Sequence, residues 1–343
     1  MSEQALASTE NFKKAFNQGL VSLLSKKSAG VFILALANAL QNKEIFESNK
    51  KTISETFSSL ITYYSECHDQ GVIPDDSSDD IDVIQSLFVL GLEGIKNSKS
   101  RLIEHNGARW RLYYNHLRSF RPQRMSAQKI DDLNVPFNDN GFHFNKSFLN
   151  DEIFIEQKIN NKVLSLLYNK FPFANYHGLL VIDKHRHYNQ FLFTEIFIYI
   201  WGLYQKLSEN IIGLVIAYNS LGAGASVNHL HFQSSITLEP YSIESNIWMH
   251  NGGNEAYPVK CMVFNDVNKA WNSINNLQNR QVSFNLIFKS NKLYCLTQDN
   301  TKENKTQLAW FEMAGNFVVS DEDVFEDITD SKIVCQLKSS GLN

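Results

Sequence analysis

The first part of the chain carries hydrophobic side chains at intervals of three and four residues, which is the spacing of an amphipathic helix. Phe12, Phe16 and Leu20 share one such face, and the same spacing returns at about Val83. Strand signals are few in this part of the chain. We therefore predict that residues 1–100 form an N-terminal extension built from helices.

From about residue 108 the pattern changes to short apolar runs separated by turn residues, which indicates β-strands. Helical spacing interrupts the runs at 191–207 and again at 267–277. The predicted strands are 109–114, 163–170, 177–182, 212–218, 231–237, 259–264, 284–289 and 292–296. This order predicts an α+β fold, with a catalytic half at 101–240 and a second half without a site at 241–343.

Composition and charge exclude several classes of partner. The 343 residues are 43% hydrophobic and 20% charged, which is typical of a packed globular core. A formal net charge of −4 provides no basic field for a nucleic-acid backbone. The apolar stretch Ala29–Leu40 is too short to span a bilayer, and the N-terminus lacks the pattern of a signal peptide. We expect a cytoplasmic protein without nucleic-acid or membrane partners, and a homodimer is a possible assembly.

Two further patterns argue against a bound metal. The four cysteines, Cys67, Cys261, Cys295 and Cys335, are widely separated, so they suggest neither a zinc site nor a disulfide framework. The acidic run at 74–80 is turn-rich and is interpreted as a solvated linker, because its carboxylates are too crowded and exposed for acid–base chemistry. We expect no metal and no other cofactor.

One segment combines a glycine-rich turn with alternating polar residues. After Gly222 and Gly224, it places His229, His231 and Gln233 at every second position, so on a strand their side chains would share a face. The backbone N–H groups of such a turn can bind an anion, and a neighbouring imidazole can attack phosphorus. A bare His-x-His pair more often belongs to a structural face or, less often, to a metal site. The preceding Asn-Ser pair, the turn and the glutamine together favour chemistry.

The string N-S-L-G-A-x-A-x-x-N-H-L-H-F-Q resembles the His-x-His-x-Gln motif of the nucleotidyltransferase and phosphorylase branch of the histidine-triad superfamily. Within that branch it is most similar to the GDP-hexose phosphorylases. The resemblance runs from about residue 100 to 325 and implies a histidine-triad-like antiparallel sheet with flanking helices and a degenerate second half. Its further segments are Arg121-Pro122, Val135-Pro136-Phe137, Phe142-x-Phe144-x-Lys146, Tyr257-Pro258-Val259 and Trp310-x-Glu312.

The resemblance also implies roles for individual residues. His231 would be the nucleophile, His229 would orient it through a backbone carbonyl, and Gln233 would complete the catalytic set. The implied substrate-binding residues are the turn and its neighbours, an upstream histidine and a lysine: Asn219, Ser220, Gly222, Gly224, Ser226, Asn228, His177 and Lys170. A simple turn hydrogen bond is an equal alternative for Asn219 and Ser220. An isolated surface lysine and a buried turn histidine are the alternatives for Lys170 and His177.

The implied reaction is phosphorolysis of a nucleoside diphosphate sugar, preferably GDP-linked, by inorganic phosphate. It would pass through a nucleotidyl-histidine and yield hexose 1-phosphate and nucleoside diphosphate. The segment Asn169-Lys170-Phe171-Pro172 is more similar to diadenosine tetraphosphate phosphorylases and galactose-1-phosphate uridylyltransferases. A diadenosine polyphosphate phosphorylase and a hexose-1-phosphate nucleotidyltransferase are therefore alternative enzymes, and a non-catalytic nucleotide sensor is a third alternative.

Because the extension has no counterpart in the family, we expect a chain that starts near Asp82 to keep its specificity.

Overall fold

The computed structural model describes residues 4–24, 26, 28–72, 78–95, 99–120, 132–299 and 307–342. Its helices are α1 Thr9–Leu24, α2 Ala29–Leu40, α3 Lys43–Gln70, α4 Ser78–Ile95, α5 Thr194–Ser208, α6 Val267–Asn279, α7 Trp310–Met313, α8 Glu322–Asp327 and α9 Asp330–Ser340. Its strands are β1 Lys99–His105, β2 Ala108–Tyr114, β3 Ile153–Ile159, β4 Lys162–Tyr168, β5 Gly178–Ile182, β6 Leu214–Asn219, β7 His231–Ile236, β8 Cys261–Phe264, β9 Ser283–Lys289, β10 Lys292–Gln298 and β11 Asn316–Val319. These elements confirm the predicted α+β class.

A single antiparallel sheet of eight strands runs through both predicted halves, in the order β3-β4-β5-β7-β6-β9-β10-β8. The pairing of β6 with β9, which sets Ala217 opposite Ile287, joins the first half to the second. Every residue of β6 and of β9 is buried, because helices or loops cover both faces there. The division into 1–100, 101–240 and 241–343 stays a prediction.

The alternation of side chains along β7 separates the core from a polar face. Phe232 points into the hydrophobic core that the sheet forms with α5 and α6. His231 and Gln233 point to the opposite face, where they line a cavity. A smaller sheet, β1-β2-β11, packs its own core against that opposite face, and β11 runs parallel to β2.

The predicted N-terminal helices are confirmed, and they pack against the end of β4. Helices α1 to α4 share a hydrophobic cluster that also includes Tyr168 and Phe171 at the end of β4. Asn42 caps α3 by accepting hydrogen bonds from two backbone N–H groups, and Gly71 ends that helix at a φ of 66°. No helix of the described ranges is both long and apolar enough to cross a membrane.

Several sequence-based expectations need correction. The acidic run is predicted to be a solvated linker, but Ser78 to Asp80 form the first turn of α4, where carboxylates are favoured by the helix dipole. Positions 74–77 lie outside the described residues, as does Arg121-Pro122. Strand β7 begins at His231, so His229 precedes the strand instead of belonging to it. Strands β1, β3 and β11 were not predicted.

Candidate active site

His231 is the first residue of β7, in the middle of the large sheet, and its side chain reaches the cavity while remaining only 5% exposed. Its Nδ1 lies 2.8 Å from the carbonyl oxygen of His229. A carbonyl can only accept, so Nδ1 carries the hydrogen and Nε2 carries the lone pair. Its backbone N–H donates to Gln190 Oε1 at 2.9 Å, which fixes the start of the strand. The ring is therefore held with one nucleophilic nitrogen available.

His229 has the opposite arrangement. Its Nδ1 accepts a hydrogen bond of 3.0 Å from the backbone N–H of Phe144. The hydrogen therefore resides on Nε2, and neither ring nitrogen offers a lone pair for attack. The ring is 1% exposed, with Phe137 against it edge-on and Phe144 beside it. His229 thus contributes its backbone carbonyl to His231, and its side chain anchors the loop that carries Phe144.

Gln233 follows His231 on the same face of β7, and its amide is held in one orientation. Its Oε1 accepts from His177 Nε2 and from Trp310 Nε1, each at 2.9 Å. His177 can donate through Nε2 because its Nδ1 accepts from the backbone N–H of Phe173 at 3.3 Å. With Oε1 occupied by two donors, Nε2 of Gln233 is left to donate toward the cavity that this residue lines. His177 acts through Gln233, and it does not line the cavity itself.

Asn219, at the end of β6, presents a second donor. Its Oδ1 accepts from the backbone N–H of Trp310 at 2.9 Å and from Asn285 Nδ2 at 2.7 Å. Its Nδ2 is buried, has no hydrogen-bond partner among the described residues and belongs to a side chain that lines the cavity. A buried donor without a partner costs about 1–3 kcal/mol, so an anionic oxygen bound here would offset a cost built into the site.

The glycine turn approaches other parts of the chain closely. Gly222 and Gly224 have φ values of 73° and 89°, which other residues rarely adopt. A Cβ on Gly224 would lie 2.9 Å from the Cα of Ala309. Gly224 and Ser226 line the cavity, and Gly222 does not.

Two of the predicted substrate-binding residues have structural partners and lie outside the cavity lining. Ser220 Oγ accepts from the backbone N–H of Phe284 at 2.8 Å. Asn228 Nδ2 donates to the carbonyl oxygens of Val135 and Pro136 at 3.0 and 2.9 Å. The turn-bond alternative therefore describes Ser220 better than a ligand contact does, whereas Asn219 faces the cavity.

Two cationic side chains line the cavity, whose volume is about 170 Å³. Lys170 is not an isolated surface lysine, because its Nζ pairs with the carboxylate of Asp80 in α4. Arg118, which sequence reasoning missed, donates to the carbonyl oxygen of Phe171 at 3.1 Å and lies 4.8 Å from the ring centroid of Phe173. The cavity thus combines an imidazole with an available lone pair, amide donors and two cations, a set that suits a phosphorylated ligand.

Burial keeps both histidines of the motif neutral. It lowers the pKa of His231 to about 4 against a smaller opposing effect of the hydrogen bond at His229. Burial, followed by the neighbouring His231, lowers the pKa of His229 to about 3. Protonation of an ordinary histidine would remove half of the nucleophile near pH 6.5. The buried His231 keeps its lone pair throughout the neutral range.

The nucleophilic role that the family resemblance implies for His231 leads to a pH prediction. We expect the rate of its nucleotidylation in a single turnover to be constant from about pH 8 down to about pH 5, and to fall as the pH approaches 4. Folding should be followed in parallel. Below about pH 6.5 these two histidines bind protons in the unfolded chain but remain neutral in the folded protein. The free energy of unfolding therefore decreases toward acid pH. A midpoint near 6.5 in a fully folded sample would contradict the neutral, buried nucleophile.

Comparison with known proteins gives two matches to models of one family. The model described as GDPGP1-like, N-terminal domain, matches residues 95–235, and the model described as GDPGP1-like, C-terminal domain, matches residues 253–343. Together they cover more than half of the chain. No curated protein matches it.

Among solved structures, the yeast Ap4A phosphorylase Apa2 in complex with Ap4A has a TM-score of 0.51 at 14% identity, covering 78% of this chain and 98% of that one. The same enzyme in complex with AMP has a TM-score of 0.49 at 14% identity, covering 78% and 97%. The likeness to the Ap4A complex confirms the histidine-triad-like α+β fold. With both of its domain models matched in order along the sequence, the chain belongs to the GDPGP1-like family.

Proposed function

We propose that this protein cleaves a nucleoside diphosphate hexose, preferably GDP-linked, with inorganic phosphate, and that it does so through a nucleotidyl-His231 intermediate. Membership of the GDPGP1-like family supports an enzyme of the phosphorylase or nucleotidyltransferase type. The observation that carries the finer proposal is the single lone pair of His231, held at the cavity by the carbonyl of His229 at 2.8 Å. A nucleotide-binding protein without chemistry would not require that arrangement.

In the first step Nε2 of His231 attacks the α-phosphorus, and the bond from that phosphorus to the bridging oxygen breaks. Hexose 1-phosphate leaves with the bonding electrons. The imidazole becomes cationic as the N–P bond forms, and the carbonyl of His229 accepting from Nδ1 stabilises that charge. In the second step an oxygen of inorganic phosphate attacks the same phosphorus, the N–P bond breaks, and nucleoside diphosphate is released.

Negative charge on the non-bridging oxygens of the α-phosphate needs donors that are already oriented. Nε2 of Gln233 and Nδ2 of Asn219 are suited to this role, because the oxygen of each amide is already occupied by two donors. Ser226 and the backbone at Gly224 line the same cavity and are further candidates. Pre-orientation by a rigid polar network lowers the reorganisation that charge development would otherwise require.

Gln233 also bears on the choice of acceptor. A glutamine cannot take up a proton as a histidine does, and here its Oε1 already accepts from His177 and Trp310. Water would need a base at this position, whereas inorganic phosphate brings an oxygen that is already ionised. We therefore propose phosphate, and not water, as the acceptor.

Phosphorolysis of diadenosine polyphosphates is the second candidate. The segment Asn169-Lys170-Phe171-Pro172, which is similar to that of diadenosine tetraphosphate phosphorylases, contributes three residues to the cavity lining. A longer polyphosphate would also present more charge to Lys170 and Arg118. This candidate keeps the same nucleophile and the same kind of covalent intermediate, a nucleotidyl-histidine, which carries adenosine in place of guanosine.

One experiment distinguishes these possibilities. The purified protein is incubated with GDP-, ADP- and UDP-hexoses and with diadenosine polyphosphates, with and without inorganic phosphate, and the products are identified. We expect phosphate-dependent release of GDP and hexose 1-phosphate, with parallel double-reciprocal lines when both substrates are varied, because the two steps share a covalent intermediate. Intersecting lines would reject the double displacement. Tight binding without consumption of any nucleotide would favour a sensor.

A further inference from the structure

The four N-terminal helices, α1 to α4, lie almost wholly outside the two family matches and pack behind one wall of the cavity. The wall in question is the segment from Tyr168 to Phe171, directly after β4, and each of its four residues lines the cavity. Three helices hold it. The hydroxyl of Tyr168 donates to the carbonyl oxygen of Phe16 in α1, and Lys170 pairs with Asp80 in α4.

The contact from α2 is made by a buried amide. Asn38 is 3% exposed in an otherwise apolar helix, and its Nδ2 donates to the carbonyl oxygens of Leu34 and Asn169 at 2.9 and 2.8 Å. Burying an amide costs free energy unless it is hydrogen-bonded, so its position is explained by the bond that it makes to the wall. The amide nitrogen of Asn169 lies 3.4 Å from Nε2 of His177, which donates to Gln233. The helical layer formed by α1 to α4 is therefore connected through Asn169 to the hydrogen-bonded pair of His177 and Gln233.

The ion pair between Lys170 and Asp80 is largely shielded from solvent, with 28% and 16% of the respective side chains exposed. A lysine has a long stem and three rotatable donors, so without a fixed partner its ammonium group samples many positions. Asp80 belongs to the first turn of α4, which fixes the carboxylate and hence the ammonium group at the cavity. A Cβ added to Gly30 in α2 would lie 2.6 Å from Asp80 and 3.3 Å from Lys170 Nζ, so that helix also encloses the pair.

We infer that the helical layer completes a phosphate subsite in which Asp80 positions Lys170 to bind the phosphate that is exchanged during the reaction. This inference rests on the proposed function. In a double displacement at one phosphorus, the leaving and the entering oxygen occupy the same apical position opposite the nucleophile. One subsite therefore serves the phosphate of hexose 1-phosphate in the first step and inorganic phosphate in the second. In the product it holds the β-phosphate of the nucleoside diphosphate. Asp80 is a positioning residue.

The contact between Asp80 and Lys170 bears on a chain that starts near Asp82. Such a chain is expected from the sequence to keep its specificity, because the extension lies outside the region that resembles the family. Such a chain would lack Asp80 and the contacts from α1 and α2 to the wall, so we now expect it to discriminate poorly between ligands that differ in their phosphates.

The test uses the full chain and compares the dissociation constants of GDP with GMP and of ADP with AMP by calorimetry. The ratio within each pair isolates the contribution of the β-phosphate. In Asp80→Asn we expect this ratio to fall about tenfold while the monophosphate binds as in the wild type, because Lys170 loses the charged partner that holds its ammonium group at the subsite of the β-phosphate. Asp80→Glu should restore part of the ratio. Lys26→Gln is the matched control, since Lys26 forms another ion pair between the N-terminal helices and the rest of the chain, with Asp151 at 2.5 Å, and neither residue lines the cavity.

Each outcome decides the inference. An unchanged ratio in Asp80→Asn would overturn it, and so would a wild type that binds di- and monophosphates equally with both bases. A ratio that falls equally in Lys26→Gln would also overturn it by assigning the effect to general loosening of the helical layer. If Asp80→Asn does not fold, Lys170→Gln must show the same fall, because Asp80 then remains in the first turn of α4. Binding ratios require no turnover, so a wild type that discriminates but consumes nothing would refute the proposed function alone.

Discussion

Replacing His231 with asparagine is expected to reduce turnover by on the order of 10⁴-fold or more, because the variant lacks the lone pair that forms the bond to phosphorus. Nucleotide binding should remain within about tenfold, since the nucleophile stabilises the transition state more than the ground state. The asparagine Nδ2 can still donate to the carbonyl of His229, to which Nδ1 now donates at 2.8 Å. The fold should therefore survive, and circular dichroism checks this.

The measurement that identifies the nucleophile is transfer of label. Substrate labelled at the α-phosphorus should leave label on the wild-type protein that is acid-labile and base-stable, as a phosphoramidate is, and none on His231→Asn. His229→Asn is the matched control. It keeps the backbone carbonyl that orients His231 and offers an oxygen to the N–H of Phe144, which now donates at 3.0 Å. We expect this control to lose no more than about a hundredfold in rate and to retain the label. Label on His231→Asn would refute the assignment.

The local part of the site could be predicted from sequence. Alternation of polar and apolar residues placed His231 and Gln233 on one face of a strand, and the two glycines predicted the turn before it. The hydrogen bond from His231 Nδ1 to the carbonyl of His229 was also expected, and the geometry confirms it. All of these features depend on residues within about a dozen positions of one another, where the backbone period fixes the outcome.

The tertiary part could not be predicted. The donors that fix the oxygens of Gln233 and Asn219 come from His177, Asn285 and Trp310, which lie 56 to 91 positions away in the sequence. No local pattern encodes which distant residue a buried amide will meet, because that depends on the order of strands in the sheet. Trp310 was noted for its resemblance to a family segment, but its contact with the motif became evident only in the fold.

The acidic run shows how local composition can mislead. Clustered carboxylates usually face solvent, so the composition of residues 74–80 predicts a solvated linker. The side chain of Asp80 is only 16% exposed, and Lys170, 90 positions away, provides a partly buried counter-charge. Once the pair is seen, the same residues indicate that the extension belongs to the site. The helices of the extension follow from the spacing of hydrophobic residues, whereas the surface against which they pack does not.

Replacing Asn219 with aspartate is expected to lower the rate of nucleotidyl transfer by about 10²- to 10³-fold, the usual effect of removing one donor to a developing anion. The change is isosteric. One carboxylate oxygen can still accept from Trp310 N and Asn285 Nδ2, which are now 2.9 and 2.7 Å from Oδ1. The other oxygen replaces the Nδ2 donor and repels phosphate. Ser220→Ala is the comparison, because Ser220 Oγ accepts from Phe284 N outside the cavity lining. It should cost about 1–3 kcal/mol of stability and leave the rate within about threefold.

The pH dependence of the Asn219→Asp variant separates a donor from a purely structural residue. A carboxyl group buried beside a phosphate favours its protonated form, and a protonated carboxyl regains a hydrogen to donate. The deficit of the variant relative to the wild type should therefore shrink as the pH is lowered within the range where the protein stays folded. A structural defect would instead persist or grow toward acid, where the neutral buried histidines already reduce stability. A deficit that is the same at every pH, or a loss in Ser220→Ala as large as in Asn219→Asp, would show that Asn219 supports the fold and does not bind the reacting phosphate.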